Sequence, residues 1–173
     1  GSVMNSAGIS KYIYRFADTL VGRLPGGLAQ VNIFGSLIFA GVSGSALADA
    51  AGSGKLMQEL MTRGNKYSKE YAAALSAVSS VIGPILPPSI PLVLYALVSD
   101  ASIGYLFMAG VMPGLLIGAV QMALIYFQAK RRQFAVEEPV PLRELPRITR
   151  EALPALMLPV ILLGHSMGGA IAL

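Results

Sequence analysis

The sequence contains no cysteine and only one histidine in its 173 residues. The absence of cysteine excludes a disulfide framework and thiolate metal sites, and leaves the redox compartment open. A single histidine excludes a multi-histidine metal site. Charge is also scarce, because Asp, Glu, Lys and Arg together make up 13% of the chain, about half of the roughly 25% that is usual in soluble domains.

Hydrophobic residues are abundant instead, at 54% of the chain, with a mean hydropathy of +0.64. This composition predicts an all-α, polytopic membrane protein in contact with a lipid bilayer. The formal net charge of +4 comes from cations clustered between apolar runs, with no basic patch interleaved with aromatics, so nucleic acid is not an expected partner. No signal peptide is visible and the C-terminus falls in an apolar run, so we expect a segment of a longer protein.

The chain is organised around the uncharged run at residues 71–99, which is long enough to span a bilayer but is interrupted near its middle. The interrupting residues are Gly83, Pro84, Pro87, Pro88 and Pro91. Each proline inside a helix costs about 3 kcal/mol or more, so the run predicts a discontinuous transmembrane helix. Backbone groups freed in this way must face protein or water, and they can coordinate a cation or face an anionic substrate. The pattern favours a secondary transporter, and the alternative is a Pro-kinked scaffold helix without a ligand.

A second interruption is predicted in the uncharged run at residues 28–48, whose second half is rich in Gly, Ala and Ser. Such residues permit close approach and reversal of the chain. They predict a re-entrant helical hairpin over about residues 33–62, with its tip near Ser43 to Ser45. The alternative is a transmembrane helix that packs through its small residues and ends at Asp49.

The remaining segments complete a predicted topology in which Lys130, Arg131 and Arg132 mark a cytoplasmic end. Asp100 is a candidate N-cap for the helix that follows the broken run. The predicted regions are an amphipathic surface helix at 1–27, a membrane region at 28–129, a cytoplasmic linker at 130–151 and the start of another membrane segment at 152–173.

Both interruptions bring serine hydroxyls into apolar runs, and oxygen-only ligands suit a hard monovalent cation such as sodium. Asp49 lies near the first interruption, and an acid within the membrane is a functional candidate by default. Its structural alternative is to cap the second arm of the hairpin. Asn32 is a candidate substrate ligand or, alternatively, a hydrogen-bonding residue between helices.

The motifs SGSALAD at 43–49 and GPILPPSIP at 83–91, in this order and spacing, resemble the large permease (DctM-type M subunit) of tripartite ATP-independent periplasmic (TRAP) transporters. The resemblance extends from about Met4 to Leu163. It implies an elevator-type, sodium-coupled importer of acidic metabolites such as C4-dicarboxylates or sialic acids, in the bacterial inner membrane. It also implies two partners, a small membrane subunit (DctQ-type) and a periplasmic substrate-binding protein (DctP-type). The implied Na+ site would draw hydroxyl or main-chain oxygens from Ser43, Gly44, Ser45, Gly83, Pro87 and Ser89.

One motif competes with this interpretation. The segment PVILLGHSMGGAIAL at 159–173 is similar to the nucleophile elbow of α/β-hydrolases, with Ser166 as nucleophile. That fold needs an acid and a histidine downstream of the serine, whereas the only histidine is the adjacent His165. We therefore expect no enzyme, and the main alternative to a transporter is a non-transporting membrane scaffold or assembly subunit.

Overall fold

The structure is a computed structural model that describes residues 9–63 and 66–132, and the regular elements within those residues are all helical. In chain order they are α1 (Ile9–Val21), α2 (Gly27–Ser43), α3 (Ala46–Ala48), a π-helical turn (Asp49–Ser53), α4 (Gly54–Thr62), α5 (Lys69–Ser80), α6 (Ile90–Ser99) and α7 (Ile103–Arg132). The prediction of an all-α chain is confirmed for this part.

Helix α2 is the central element and packs against α1, α4, α5 and α7. Its sequence is apolar around most of its circumference, which is expected of a helix enclosed by others, and most of its residues are buried. The main core gathers residues from all of these helices, including Tyr14, Ala17, Ala29, Val31, Ile33, Met57, Met61, Ala72, Leu75 and Ile125.

Helix α1 lies along α2, with the Tyr14 ring against Gly35. The residues that face α2 are buried and recur at helical spacing, namely Ile13, Tyr14, Ala17 and Val21. This agrees with the amphipathic pattern within residues 1–27. The location of this helix at the membrane surface stays a prediction.

Helices α2 to α4 form a helical hairpin that reverses at Gly44 and Ser45. Gly44 adopts a φ of +59°, in the left-handed region that glycine tolerates best, and its N–H closes α2 by donating to the Ala40 carbonyl at 3.2 Å. Ser45 is extended, and its hydroxyl accepts from the Ala48 N–H at 3.4 Å. The reversal lies at the predicted tip, and we refer to residues 43–45 as the hairpin tip. That the hairpin is re-entrant in a membrane stays a prediction.

The predicted break in the run at 71–99 is present, because α5 ends at Ser80 and α6 begins at Ile90. The intervening residues 81–89, which we call the joint, form successive turns such as Gly83 N–H to Ser80 carbonyl at 3.1 Å. Ser89 is the N-cap of α6, since its hydroxyl accepts from the Leu92 N–H at 3.3 Å. The break lies where it was predicted, and that the broken run spans a membrane stays a prediction.

Helix α7 is the one helix in the described part of the chain that is long and apolar enough to cross a membrane, with a mean hydropathy of 1.9; α2 and α6 are shorter apolar helices. Glycines one turn apart on α7 let it approach the joint closely. A Cβ added at Gly110 would lie 2.7 Å from the Ile85 carbonyl oxygen, and one at Gly114 would lie 2.7 Å from Leu86 Cδ1.

The interpretation of Asp100 as an N-cap is wrong. Asp100 adopts a φ of +54° at the C-terminal end of α6, and α7 begins three residues later at Ile103. The chain reversal after α6 therefore uses a left-handed residue at Asp100 rather than a capping carboxylate. Most of the predicted linker at 130–151, the segment at 152–173 and Ser166 lie outside the described residues.

Candidate cation site

The structure brings the hairpin tip against the joint through their backbones. Gly44 sits directly on the carbonyl oxygen of Pro88, where an added Cβ would overlap that atom. A Cβ added at Gly83 would lie 3.2 Å from the Ser45 carbonyl carbon. Two elements that are about forty residues apart in sequence thus meet through glycines, with no bulky side chain between them.

Serine hydroxyls border this contact on both sides. Ser43 and Ser89 line one cavity of about 220 Å³ together with Pro88. The Ser43 hydroxyl accepts from the Ser45 N–H at 3.4 Å. The Ser89 hydroxyl accepts from the Leu92 N–H at 3.3 Å and donates to the Pro84 carbonyl. A hydroxyl oxygen has two lone pairs, so each of these oxygens keeps one lone pair after its local hydrogen bond. They remain available to a cation.

Two carbonyl oxygens in the joint have no hydrogen-bond donor within the described part, and the positions of the prolines explain which two. Pro87 and Pro91 have no N–H, so neither can donate to the residue four positions earlier, which is Gly83 or Pro87 respectively. In the described part of the chain no other group donates to these two carbonyls. Such orphaned oxygens at membrane depth call for a cation, water or a further protein donor.

Helix ends of both polarities meet at the contact. Helices α2 and α5 end here, at Ser43 and Ser80, and the C-terminal end of a helix carries a partial negative charge from its unpaired carbonyls. Helix α6 and the short α3 begin here after Ser89 and Ser45, with partially positive N-terminal ends. Neutral hydroxyls and carbonyls are the ligands expected for Na+ rather than for a transition metal. Within residues 9–63 and 66–132 there is no cluster of three or more His, Cys, Asp or Glu that would suit a divalent transition metal.

The six predicted ligand residues are therefore not all equivalent in the structure. Ser43, Gly44 and Ser45 meet Gly83 and the segment at Pro88 and Ser89. The Pro87 ring instead lies toward α7, 3.8 Å from the Cβ position of Gly110. Only the carbonyl of Pro87 remains a candidate ligand.

Asp49 lies in a separate, buried polar cluster one turn beyond the tip. Its carboxylate is 1% exposed and accepts from the Ser53 hydroxyl, and one carboxylate oxygen has no hydrogen-bond partner in the described part. Ser36 lies beside the carboxylate and donates to the Ser79 hydroxyl at 3.1 Å. The N-cap of the second arm is Ser45, so the structure does not support a capping role for Asp49.

Sequence analysis did not identify the polar cluster around Asp49, although the spacing of its residues could have indicated it. Asp49 and Ser53 are four residues apart, as are Asn32 and Ser36, and a spacing of four places each pair on one helix face. The π-helical turn at Asp49–Ser53, a feature often found at functional sites, has no comparable sequence signature. Asn32 is fully buried, and its side-chain amide finds no partner among the described residues, so the expected hydrogen bond between helices is not formed there.

Comparisons with known proteins lead to the same family as the sequence motifs. The family model described as "Tripartite ATP-independent periplasmic transporter, DctM component" matches residues 1–172. The chain is 47% identical over 169 residues to the sialic acid TRAP transporter large permease protein SiaM of Vibrio cholerae, a match covering 98% of this chain and 39% of that protein. It is 36% identical over 170 residues to the C4-dicarboxylate TRAP transporter large permease protein DctM of Pseudomonas aeruginosa, covering 98% of this chain and 40% of that protein.

A third relative, the 2,3-diketo-L-gulonate TRAP transporter large permease protein YiaN of Escherichia coli, is 38% identical over 169 residues, or 98% of this chain and 40% of that protein. The chain therefore spans about two fifths of the length of the curated relatives it matches. It belongs to the DctM family. The resemblance drawn from its motifs is confirmed, and the matched range continues past Leu163. The family is one of transporter components and not of enzymes, which removes the support for a hydrolase at Ser166.

Proposed function

We propose that this DctM-family chain is part of the large permease subunit of a sodium-coupled importer for small organic acids. Its relatives are named for sialic acid, 2,3-diketo-L-gulonate, isethionate and C4-dicarboxylates. All four are organic acids that are anionic at neutral pH. Sialic acid is our first candidate substrate, because the relative with 47% identity is named for it.

The family name describes a tripartite transporter, and the proposed partners follow from it. They are a small membrane subunit (DctQ-type) and a periplasmic substrate-binding protein (DctP-type). The location we propose is the bacterial inner membrane, crossed several times by the complete subunit. One long apolar helix and two shorter ones in the described part support this.

The observation that carries the proposal is the contact between the hairpin tip and the joint. Sodium would be held there by hydroxyl oxygens of Ser43, Ser45 and Ser89 and by the carbonyls of Gly83 and Pro87, with the Gly44 main chain adjoining. A bound cation would interact with the carbonyl oxygens that have no hydrogen-bond donor. Holding the tip and joint together would in turn order the neighbouring substrate pocket.

We further propose that the hairpin and the helices packed on it move across the membrane as one unit, in an elevator-type cycle. Helix α2 supports this, because it packs against α1, α4, α5 and α7 and so links the hairpin to the rest of the described core. A unit with one shared core moves more readily as a rigid body than as separate helices.

The test is uptake of labelled sialic acid into proteoliposomes that hold the complete permease, its small subunit and its binding protein. Wild type should accumulate the label with an inward sodium gradient and not with a potassium gradient. Replacing Ser43→Ala and Ser89→Ala together should raise the sodium concentration for half-maximal uptake roughly tenfold or more, which corresponds to about 1.4 kcal/mol.

Because Ser89 is also a helix N-cap, the matched control is Ser68→Ala, which removes the N-cap of α5. The control should leave the sodium dependence unchanged. Sodium activation that survives in the double variant would count against this site. Absence of uptake for sialic acid and for C4-dicarboxylate under every gradient would favour a non-transporting scaffold.

A further inference from the structure

A cavity of about 600 Å³ lies between α1, α2 and α4, away from the hairpin tip. This volume is within the range of about 300–1,000 Å³ typical of ligand pockets. Its wall is mostly apolar and includes Leu28, Val31, Leu56, Met57 and Leu60. The cavity plays no part in the proposed transport site.

The charged residues that line this cavity are Arg15, Asp18, Arg63 and Lys66. Three of the four are cationic, so the lining has a net positive charge. Arg15 and Arg63 are exposed, and neither has an ion-pair partner among the described residues. An apolar cavity with a cationic border combines the two chemical features of an anionic phospholipid.

We propose that this cavity binds an anionic phospholipid, with an acyl chain against the apolar wall and the phosphate between Arg15 and Arg63. Arginine suits this role because its planar guanidinium can donate two parallel hydrogen bonds to phosphate oxygens. Basic pockets between membrane helices on the cytoplasmic side are a recognised kind of binding site for anionic headgroups.

The lining residues lie at different heights along the hairpin. Arg63 follows directly after α4, and Leu60 and Leu56 lie progressively deeper along that helix. On α2, Leu28 is in the first turn and Val31 is one turn further toward the tip. Arg15 follows Tyr14, whose ring lies against Gly35, one turn beyond Val31. A phosphate held by both arginines would therefore lie part-way along the cavity, and the Arg63 end is at the base of the hairpin.

The same end of the molecule carries the C-terminal cations of α7. A Cβ added at Gly26, which precedes α2, would lie 3.2 Å from Ala129 Cβ, next to Lys130. Since such cations mark the cytoplasmic side, the cavity opens toward the leaflet in which anionic lipids attract basic residues. This placement favours an anionic lipid over a zwitterionic one.

The experiment is native mass spectrometry of the complete permease complex in detergent, with phosphatidylglycerol and phosphatidylcholine of the same acyl chains added in equal amounts. The wild type should retain phosphatidylglycerol preferentially. Arg15→Gln with Arg63→Gln should reduce that preference roughly ten- to thirtyfold. Leu60→Trp, which fills the cavity, should reduce retention of both lipids.

The matched control is Lys55→Gln with Lys69→Gln, a basic pair from α4 and α5 that lines a different, polar depression. It should retain phosphatidylglycerol as the wild type does. Equal retention of the two lipids by wild type, or an undiminished preference in the Arg15 and Arg63 variant, would overturn the proposal. The Arg15 and Arg63 variant changes exposed side chains, so it remains informative if Leu60→Trp fails to fold. Sodium and transport substrate are absent, so the outcome is independent of the proposed transport function.

Discussion

The two ends of the helical hairpin are held in place by different chemistry. At its base, side chains reach the backbone of a neighbouring element: the Tyr67 hydroxyl donates to the Gly26 carbonyl at 2.9 Å, and Gln30 donates to the Met122 carbonyl at 3.0 Å. At its tip, backbone lies on backbone, with Gly44 against Pro88. Hydrogen bonds from side chains fix the base, whereas close contact between backbones forms the tip.

This difference separates a structural role from a binding role. The hydrogen bonds from Tyr67 and Gln30 at the base pair donors with carbonyls within the protein, so they stabilise the hairpin. At the tip and joint most N–H groups donate within the described part, whereas the carbonyl oxygens of Gly83 and Pro87 have no donor there. Substitutions at the tip should therefore alter sodium dependence, whereas substitutions at the base should alter stability alone.

The largest effect should come from Gly44→Ala at the tip. The φ of +59° disfavours any side chain by roughly 1–2 kcal/mol, and the new Cβ would overlap the Pro88 carbonyl, which is backbone and cannot rotate away. We expect the tip and joint to separate and sodium-driven uptake to fall to background. Uptake in proteoliposomes, normalised to reconstituted protein, measures this.

A matched control is Gly41→Ala, one turn earlier on α2, because Gly41 lies inside the helix and does not have the positive φ of Gly44. It should retain most of the uptake, since alanine is also the better helix former. If Gly44→Ala transported as well as Gly41→Ala, the tip would have no special geometric requirement and the contrast between the two ends would fail.

A smaller effect, on stability and not on sodium dependence, is expected for Tyr67→Phe at the base. The Tyr67 side chain is 6% exposed, and loss of its hydroxyl should cost about 1 kcal/mol of stability. The Gly26 carbonyl still accepts from Ala29 N–H at 2.7 Å, so it is not left without a donor. Thermal unfolding of the complete permease should shift by a few degrees, with an unchanged sodium concentration for half-maximal uptake.

Tyr71→Phe provides the comparison for an exposed bond, since its hydroxyl meets the Gln128 side chain at 3.2 Å on the surface. Its effect on thermal unfolding should be smaller than that of Tyr67→Phe. A change in sodium dependence with either variant would mean that the base also contributes to the ion site.

The positions of both chain breaks could be predicted because they depend on local chemistry. Proline removes N–H groups and glycine permits a left-handed φ wherever they occur, so the joint and the tip follow from the residues themselves. The contact between Gly44 and Pro88 is different in kind. It depends on how α2 and α5 pack, and the resemblance to a known family, not periodicity, suggested that the two motifs meet.

The contacts around Asp49 could not be predicted from the sequence. Its neighbours include Ser36 on α2 as well as Ser53 in its own turn, and a pattern within one segment does not contain such contacts between helices. The misassignment of Asp100 has a local cause instead. Aspartate is common both at N-caps and in left-handed positions, and the residue type alone does not distinguish the two.

The smallest expected effect is at Ser68, which caps α5 at the exposed base by accepting from the Tyr71 N–H at 3.2 Å. Ser68→Ala should cost about 0.5 kcal/mol, at the low end for an N-cap. The adjacent Glu70 makes the effect depend on pH, because hydrogen bonds from its own N–H and from the Ser68 hydroxyl hold the pKa of the Glu70 carboxyl below its ordinary value.

A lowered pKa means that this contribution to stability is present above the carboxyl's unfolded pKa and is lost as the pH falls through the folded pKa. The difference in unfolding temperature between wild type and Ser68→Ala should therefore be largest near neutral pH and should shrink in the acid range. Thermal unfolding measured across that range tests it. A difference that grew on acidification would show that Ser68 stabilises the protonated carboxyl instead. At every pH the sodium dependence of uptake should match wild type, because Ser68 lies at the base and not at the tip.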